Sequence, residues 1–236
     1  KTHDLTDKLF ELGHFNNNLT SSSVSIIAIG NTAFFRYSKI FLRNQMPEIG
    51  IPVSIVTDLD LRPVEYANQY NVTAEKRKEK NIVSEFDVPV FKASKIASYD
   101  KQSIKAFIGD FWTLEYCIAL HPILRKTLFK SIVQCVEEIR ADNYTGNKAD
   151  KKGIRPISEL NYERKWNAFI LDKTDEQIAF DIMYEFIIDK KNISKSMIAM
   201  YFSQFLKSDI NNLDEIVIEN NPIQYLIEAV KYATRN

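Results

Sequence analysis

The chain has little of what marks several large classes of protein. Only two cysteines occur in 236 residues, Cys117 and Cys135, both inside apolar helical patterns and without metal-ligand spacing. That suits two buried thiols in a reducing compartment better than a disulfide, and points to a cytoplasmic protein. No apolar run approaches the roughly 20 residues that a bilayer span needs, and no signal-peptide pattern opens the sequence, so no membrane partner is expected. Charge of neither sign dominates, since 31 basic residues balance 31 acidic ones. A global positive field for polyanions is therefore excluded, and any contact with one must come from a local patch. The G-x-G-x-x-G fingerprint of dinucleotide-binding folds is missing, and Gly30 in AIGNTAFF marks only a tight strand-to-helix turn. A Walker phosphate loop is missing too, which argues against ATP hydrolysis by this chain itself. The sequence opens with KTHDLTDKLFELGHF, without methionine and already in a helix-like pattern of Leu5, Leu9 and Leu12, so it reads as a piece of something longer.

What is present is an ordinary globular composition, 45% hydrophobic and 26% charged, enough to bury a core in one large or two modest domains. SVSIIAIG (23–30) and IPVSIVTD (51–58) are β-branched runs that read as buried strands. Between them, Phe34, Tyr37, Ile40 and Phe41 recur at helical spacing after an Asn31 or Thr32 cap. A short helix capped by Thr73 follows, and DVPVFKA (87–93) reads as a third strand. This alternation predicts an α/β fold with a parallel sheet and crossover helices. After residue 110 the texture is helical, with a break near Pro122 and a polar linker at 143–156. NYERKWNAFI, DEQIAFDIMYEFII, SKSMIAMYFSQFL and NPIQYLIEAVKYA each carry apolar residues at helical spacing.

Three places carry candidate chemistry. The run VSIVTDLD ends in Asp58 and Asp60, which in an extended chain would point the same way and repel each other unless a cation lies between them. Such a pair suits a hard divalent ion with oxygen ligands. Equally, one aspartate could cap a helix or pair with Arg62 while the other is solvated. Glu115 is a lone carboxylate in the apolar stretch FWTLEYCIAL, so it needs either a basic partner or a metal. Thr113 is either an N-cap or a hydroxyl offered to the same site. In NISKSMIAMYF, Ser194 reads as the N-cap, with Ile193 and Ile198 as a staple, and Lys195 falls in the first turn. A cation there opposes the helix dipole, so it either points to solvent or meets an anion such as phosphate. Arg36, Lys39 and Arg43, among the aromatics Phe34, Phe35 and Tyr37, could touch phosphate, as could Lys148, Lys151, Lys152 and Arg155 of the linker.

In their order and spacing, VSIIAIGNTAFFRYSKIF, IPVSIVTDLDLRPVEY, FWTLEYCIAL, ISKSMIAMYFSQFL and PIQYLIEAVKYA resemble the Toprim nuclease portion of the OLD (overcoming lysogenization defect) family of ATP-dependent endonucleases. The resemblance implies a Rossmann-like Toprim sheet over 1–142, the linker 143–156, and a helical region 157–236 contributing to the active site. It implies Asp58, Asp60 and Glu115 as metal ligands, and Lys195 with Thr113 as catalytic side chains. It further implies two Mg²⁺ or Mn²⁺ ions, DNA as substrate and homo-oligomerisation through a longer protein. A role in anti-phage defence, sometimes beside a partner protein, belongs to the same implication. The glutamate-bearing first strand of Toprim domains, and the ATPase region through which ATP would act, have no counterpart in this sequence. A noncatalytic interaction module on a degenerate Toprim scaffold is the rival reading.

Overall fold

A computed structural model of the chain describes residues 7, 10–11, 16–29, 34–142, 159–184, 193–209 and 221–235. In chain order the elements are α1 (Phe34–Ser38), a 3-10 turn (Lys39–Phe41), β1 (Val53–Thr57), α2 (Val64–Gln69) and α3 (Ala74–Arg77). After a second 3-10 turn (Val83–Glu85) come α4 (Val88–Tyr99), β2 (Ile104–Ile108), α5 (Leu114–Leu120) and α6 (Pro122–Asp142). The remaining helices are α7 (Glu159–Ile170), α8 (Asp175–Ile182), α9 (Lys195–Asp209) and α10 (Gln224–Thr234). No described helix is long and apolar enough to cross a membrane.

The chain divides into two compact units, one of Thr2–Cys117 with Val217–Asn236, the other of Ile118–Ile216. The sequence instead placed its break at the linker 143–156, which lies outside the described residues.

The first unit is α/β. Its sheet has two parallel strands, with Val53 opposite Ile104 and Thr57 opposite Ile108. Ile104, Ala106 and Ile108 of β2 are buried while Lys105 is exposed, the period of two expected of a strand with one covered face. Ile55, Ile104 and Ala106 form one apolar cluster, joined by Phe34, Phe41, Leu42 and Tyr99. Thus α1 and its 3-10 turn do pack on the sheet through Phe34 and Phe41, but Tyr37 and Ile40 stay exposed. Leu59, Leu61 and Ile108 form a second cluster with Val88, Phe91, Ile96 and Tyr99 of α4. Helix α10 packs on β1 and β2, with Ser54 Oγ donating to Ala229 O at 2.7 Å and Tyr232 Oη to Ser103 O at 3.0 Å.

Two expected strands are corrected. DVPVFKA is the start of α4, because Asp87 caps it by accepting from Val90 N at 3.1 Å and Pro89 sits in the first turn, where its missing N–H costs nothing. Residues 24–29 of SVSIIAIG form no strand. No described strand pairs with them, and Ile26 and Ile27 are 52% and 75% exposed, so the run buries too little apolar surface to act as a core strand. Gly30, Asn31 and Thr32 lie outside the described residues. The strand that does pair with β1, IKAFI, was not foreseen.

The second unit is helical. On α6, Leu124, Leu128, Ile132 and Cys135 are fully buried at spacings of three and four, and α6 packs on α9, where Ile198, Phe202 and Leu206 are buried at spacings of four. Phe129 joins Trp166 and Phe169 in an aromatic cluster, with ring centroids 5.2 and 4.8 Å away. Helix α8 opens with a capping box in which Thr174 and Gln177 satisfy each other's backbone N–H groups. The break near Pro122 is real. His121 caps α6 by accepting from Ile123 N and Leu124 N at Nδ1, and Pro122 is the first helical residue.

Candidate active site at the carboxyl end of the sheet

Parallel strands release their chains outward at their carboxyl ends, and that is where this unit collects acid. Strand β1 ends at Thr57 and is followed by Asp58-Leu59-Asp60, while β2 ends at Ile108 and is followed by Gly109-Asp110. Helix α5 then starts beside them with Glu115 in its first turn, where a carboxylate complements the positive end of the helix dipole.

The two aspartates after β1 do not lie on extended chain. Leu59 is buried between them at 1% exposure, and Asp60 takes a left-handed backbone with φ of 67°, a conformation in which aspartate is tolerated better than most side chains. The alternation of an extended strand, which would put both carboxylates into one volume, is therefore broken at this turn. Each has its own environment. Asp58 is half-buried and its Oδ1 accepts from Leu114 N at 2.9 Å, the first N–H of α5. Asp60 is exposed, its backbone N–H donates to Trp112 O at 3.0 Å, and its Oδ2 meets Lys95 Nζ at 2.8 Å. Arg62 is engaged elsewhere, donating to Lys80 O and lying over the Tyr66 ring.

Lys95 is central to the turn. From α4 its ammonium reaches three oxygens: Asp58 O at 2.7 Å, Leu59 O at 3.3 Å and Asp60 Oδ2 at 2.8 Å. One turn earlier on the same helix, Lys92 is paired with Asp110. Sequence reasoning missed Lys92 and Lys95 because a strand read over 87–93 does not present residues three apart on one face, and it missed Asp110 because the strand before it was not read.

Thr113 is the N-cap of α5, with Oγ1 accepting from Tyr116 N at 3.3 Å and its carbonyl from Cys117 N at 2.9 Å. Glu115 is half-buried. The electrostatics tie these groups to one neighbourhood. Burial pushes the Cys117 thiol up to about 12, and the charges of Asp58 and Asp110 add to that. Burial likewise raises the Tyr225 phenol of α10, with Cys117, Asp58, Glu115 and Asp110 contributing. The ring of Tyr225 lies against Gly109, where an added Cβ would stand 3.3 Å from Cε1 and 3.6 Å from Cys117 Sγ. Gly109 thus lets α10 close on the end of β2.

Lys195 belongs to the other unit. It is exposed at the start of α9, which Ser194 caps by accepting from Met197 N at 3.1 Å. Of the residues considered for phosphate, Arg36, Lys39 and Arg43 are exposed, whereas the linker cations lie outside the described residues.

The donors at the sheet end are carboxylate and carbonyl oxygens, the chemistry a hard divalent ion takes. Their arrangement is less suited. Among the described residues no three His, Cys, Asp or Glu side chains come together as a metal-holding group, and ammoniums already sit on Asp60 and Asp110. As they stand, these residues do not make a metal cage. No protein-family model, curated protein or solved structure matches the chain.

Proposed function

We propose that this chain is the nuclease portion of an OLD-type enzyme, hydrolysing DNA phosphodiesters at the carboxyl end of β1 and β2. The observation that carries the reading is the convergence of Asp58, Asp110 and Glu115 on the ends of two parallel strands, close enough to raise the same buried phenol and, for the two aspartates, the same thiol. The D-x-D turn and the W-T-L-E-Y stretch, on which the resemblance rests, both belong to this end. The resemblance names Mg²⁺ or Mn²⁺ with Asp58, Asp60 and Glu115 as ligands, Lys195 as the group that neutralises phosphate charge and Thr113 as the support of Glu115; as they stand the described side chains do not form that cage, since Asp60 is held by Lys95. ATP would act through a separate ATPase region, and the working protein would be an oligomer.

One observation favours the rival, a noncatalytic module on the same scaffold: Lys92 and Lys95 already neutralise Asp110 and Asp60. Nicking of supercoiled plasmid separates the two. We expect Mg²⁺- or Mn²⁺-dependent nicking by the wild type that falls by roughly 100-fold or more in Glu115→Gln and Lys195→Ala, as for loss of a group acting in the transition state. Undiminished cleavage by both variants removes the site assignment, and absence of cleavage under every cofactor condition selects the module.

A further inference from the structure

The amino end of the sheet carries the opposite charge to its carboxyl end. Where the chain approaches β1 and β2, Gly50, Pro52 and Ser103 line an open cleft of about 370 Å³ together with Lys231, Tyr232 and Arg235 at the end of α10. All six belong to the α/β unit. The volume falls within the roughly 300 to 1,000 Å³ of small-ligand sites. Main-chain ties hold the walls, since Tyr232 Oη donates to Ser103 O at 3.0 Å and Arg235 Nη2 to Gly50 O at 2.6 Å. A Cβ added at Gly50 would meet nothing within 4 Å, so the mouth is open on that side.

The lining holds two cations and no carboxylate. Cations at a helix C-terminus ordinarily answer the negative end of the dipole, but the last carbonyls of α10 already have donors. Thr234 Oγ1 gives to Val230 O at 2.7 Å, and the N–H of Arg235, on a left-handed backbone, turns back to Lys231 O and Tyr232 O. Lys231 meets Glu228 only at 3.4 Å, and that carboxylate also takes Gln224 Nε2 at 2.7 Å. Arg235 has no acidic partner among the described residues and spends on Gly50 one of its five N–H donors. The alternation of β2 puts the exposed Lys105 on the face that Tyr232 covers through Phe107. Three cations therefore border one concave surface, with a single shared carboxylate to offset them.

We propose that this cleft binds a phosphate group, free or as the monoester of a small molecule. The planar fork of Arg235 and the compact charge of Lys231 suit a tetrahedral dianion, and the Ser103 hydroxyl adds a neutral donor beside them. The cleft is larger than a bare ion fills, and the Tyr232 ring gives the organic part of a monoester a wall to lie on. The inference does not rest on the proposed function, whose residues stand at the other end of the strands.

The test is calorimetric titration of the whole chain in phosphate-free buffer, with orthophosphate in one arm and ribose 5-phosphate in the other. Binding is expected, and Lys231→Met and Arg235→Gln should each weaken it roughly tenfold or more, as for a lost charged hydrogen bond. Tighter binding of the ester supports the proposal with a monoester as ligand, and tighter binding of orthophosphate supports it with the free ion. A second measurement needs no variant: acylation of Lys231, read by peptide mass spectrometry, should fall several-fold with the tighter probe, while that of Lys92 beyond the carboxyl end stays unchanged. Absence of binding by both probes at about 10 mM overturns the proposal, as does binding that both variants leave intact. Acylation of Lys231 that neither probe lowers overturns it too, and decides the matter if the variants do not fold.

Discussion

In the helical unit a buried cation ties helix ends to each other, whereas in the sheet unit half-enclosed cations hold the segments that follow the two strands. Arg125 of α6 is 5% exposed and holds Leu120 O at 3.0 Å and Asp175 at 2.5 Å, joining helix ends to each other. Its hydrogen bond, with its charge a smaller contributor, holds the Asp175 carboxyl below the usual range. Lys92 and Lys95 are less deeply buried, at 24% and 18%, and Lys95 holds the turn after a strand rather than a helix end, while the acids are open in both units, Asp175 at 64% against 63% for Asp60 and 53% for Asp110. The difference teaches how each unit uses a cation: Arg125 locks regular helix ends together, whereas Lys95 holds an irregular turn through two main-chain carbonyls and a carboxylate.

The two tryptophans give each unit its own reporter, Trp112 beside the sheet-end turn and Trp166 in the helical core. The largest effects should come from the cores. Leu128→Ala in α6 and Ile108→Ala in β2, at 0% and 1% exposure, should each cost about 2–5 kcal/mol in urea unfolding followed at the local tryptophan. A smaller cost in β2 than in α6 would mean that the sheet end tolerates collapse better than the helical seam. Next, Gly109→Ala forces a Cβ against the Tyr225 ring and should cost about 1–3 kcal/mol, with a change in Trp112 emission but none in Trp166. Thr174→Ala breaks the capping box of α8 and should cost about 1 kcal/mol, seen at Trp166. The smallest effect is expected of Asp60→Gly. Glycine relieves a left-handed backbone by about 1 kcal/mol while losing an ion pair worth up to about 1 kcal/mol, so stability should stay within roughly 1 kcal/mol of the wild type. Unchanged stability with lost nicking would locate the value of Asp60 in chemistry.

The same comparison explains what could be read from the sequence. Helices are written locally: NYERKWNAFI falls within α7, DEQIAFDI of the longer DEQIAFDIMYEFII is α8, with 185–188 outside the described residues, and SKSMIAMYFSQFL and NPIQYLIEAVKYA run into α9 from the Ser194 cap and into α10 from Ile223. Strands need partners far along the chain, so local apolarity misleads. SVSIIAIG is richer in β-branched residues than IKAFI, yet only the latter has β1 beside it. DVPVFKA carried its own correction in Asp87 and Pro89, a cap followed by a first-turn proline. The missed strand hid Asp110 at its end, and the misread helix hid Lys92 and Lys95. Asp58, Asp60, Thr113 and Glu115 were visible because each stands out against an apolar run. Their separate partners were not, since a left-handed turn at a non-glycine residue leaves no periodic trace.

The central claim is that Asp58 serves chemistry beyond capping α5, and one substitution separates the two roles. Asp58→Asn removes the charge yet keeps an Oδ1 acceptor for Leu114 N, so the helix start and the thermal midpoint should stay within a few degrees of the wild type. Plasmid nicking with Mg²⁺ or Mn²⁺ should nonetheless fall by roughly 100-fold or more. Nicking by a folded Asp58→Asn protein at the wild-type rate would contradict the account.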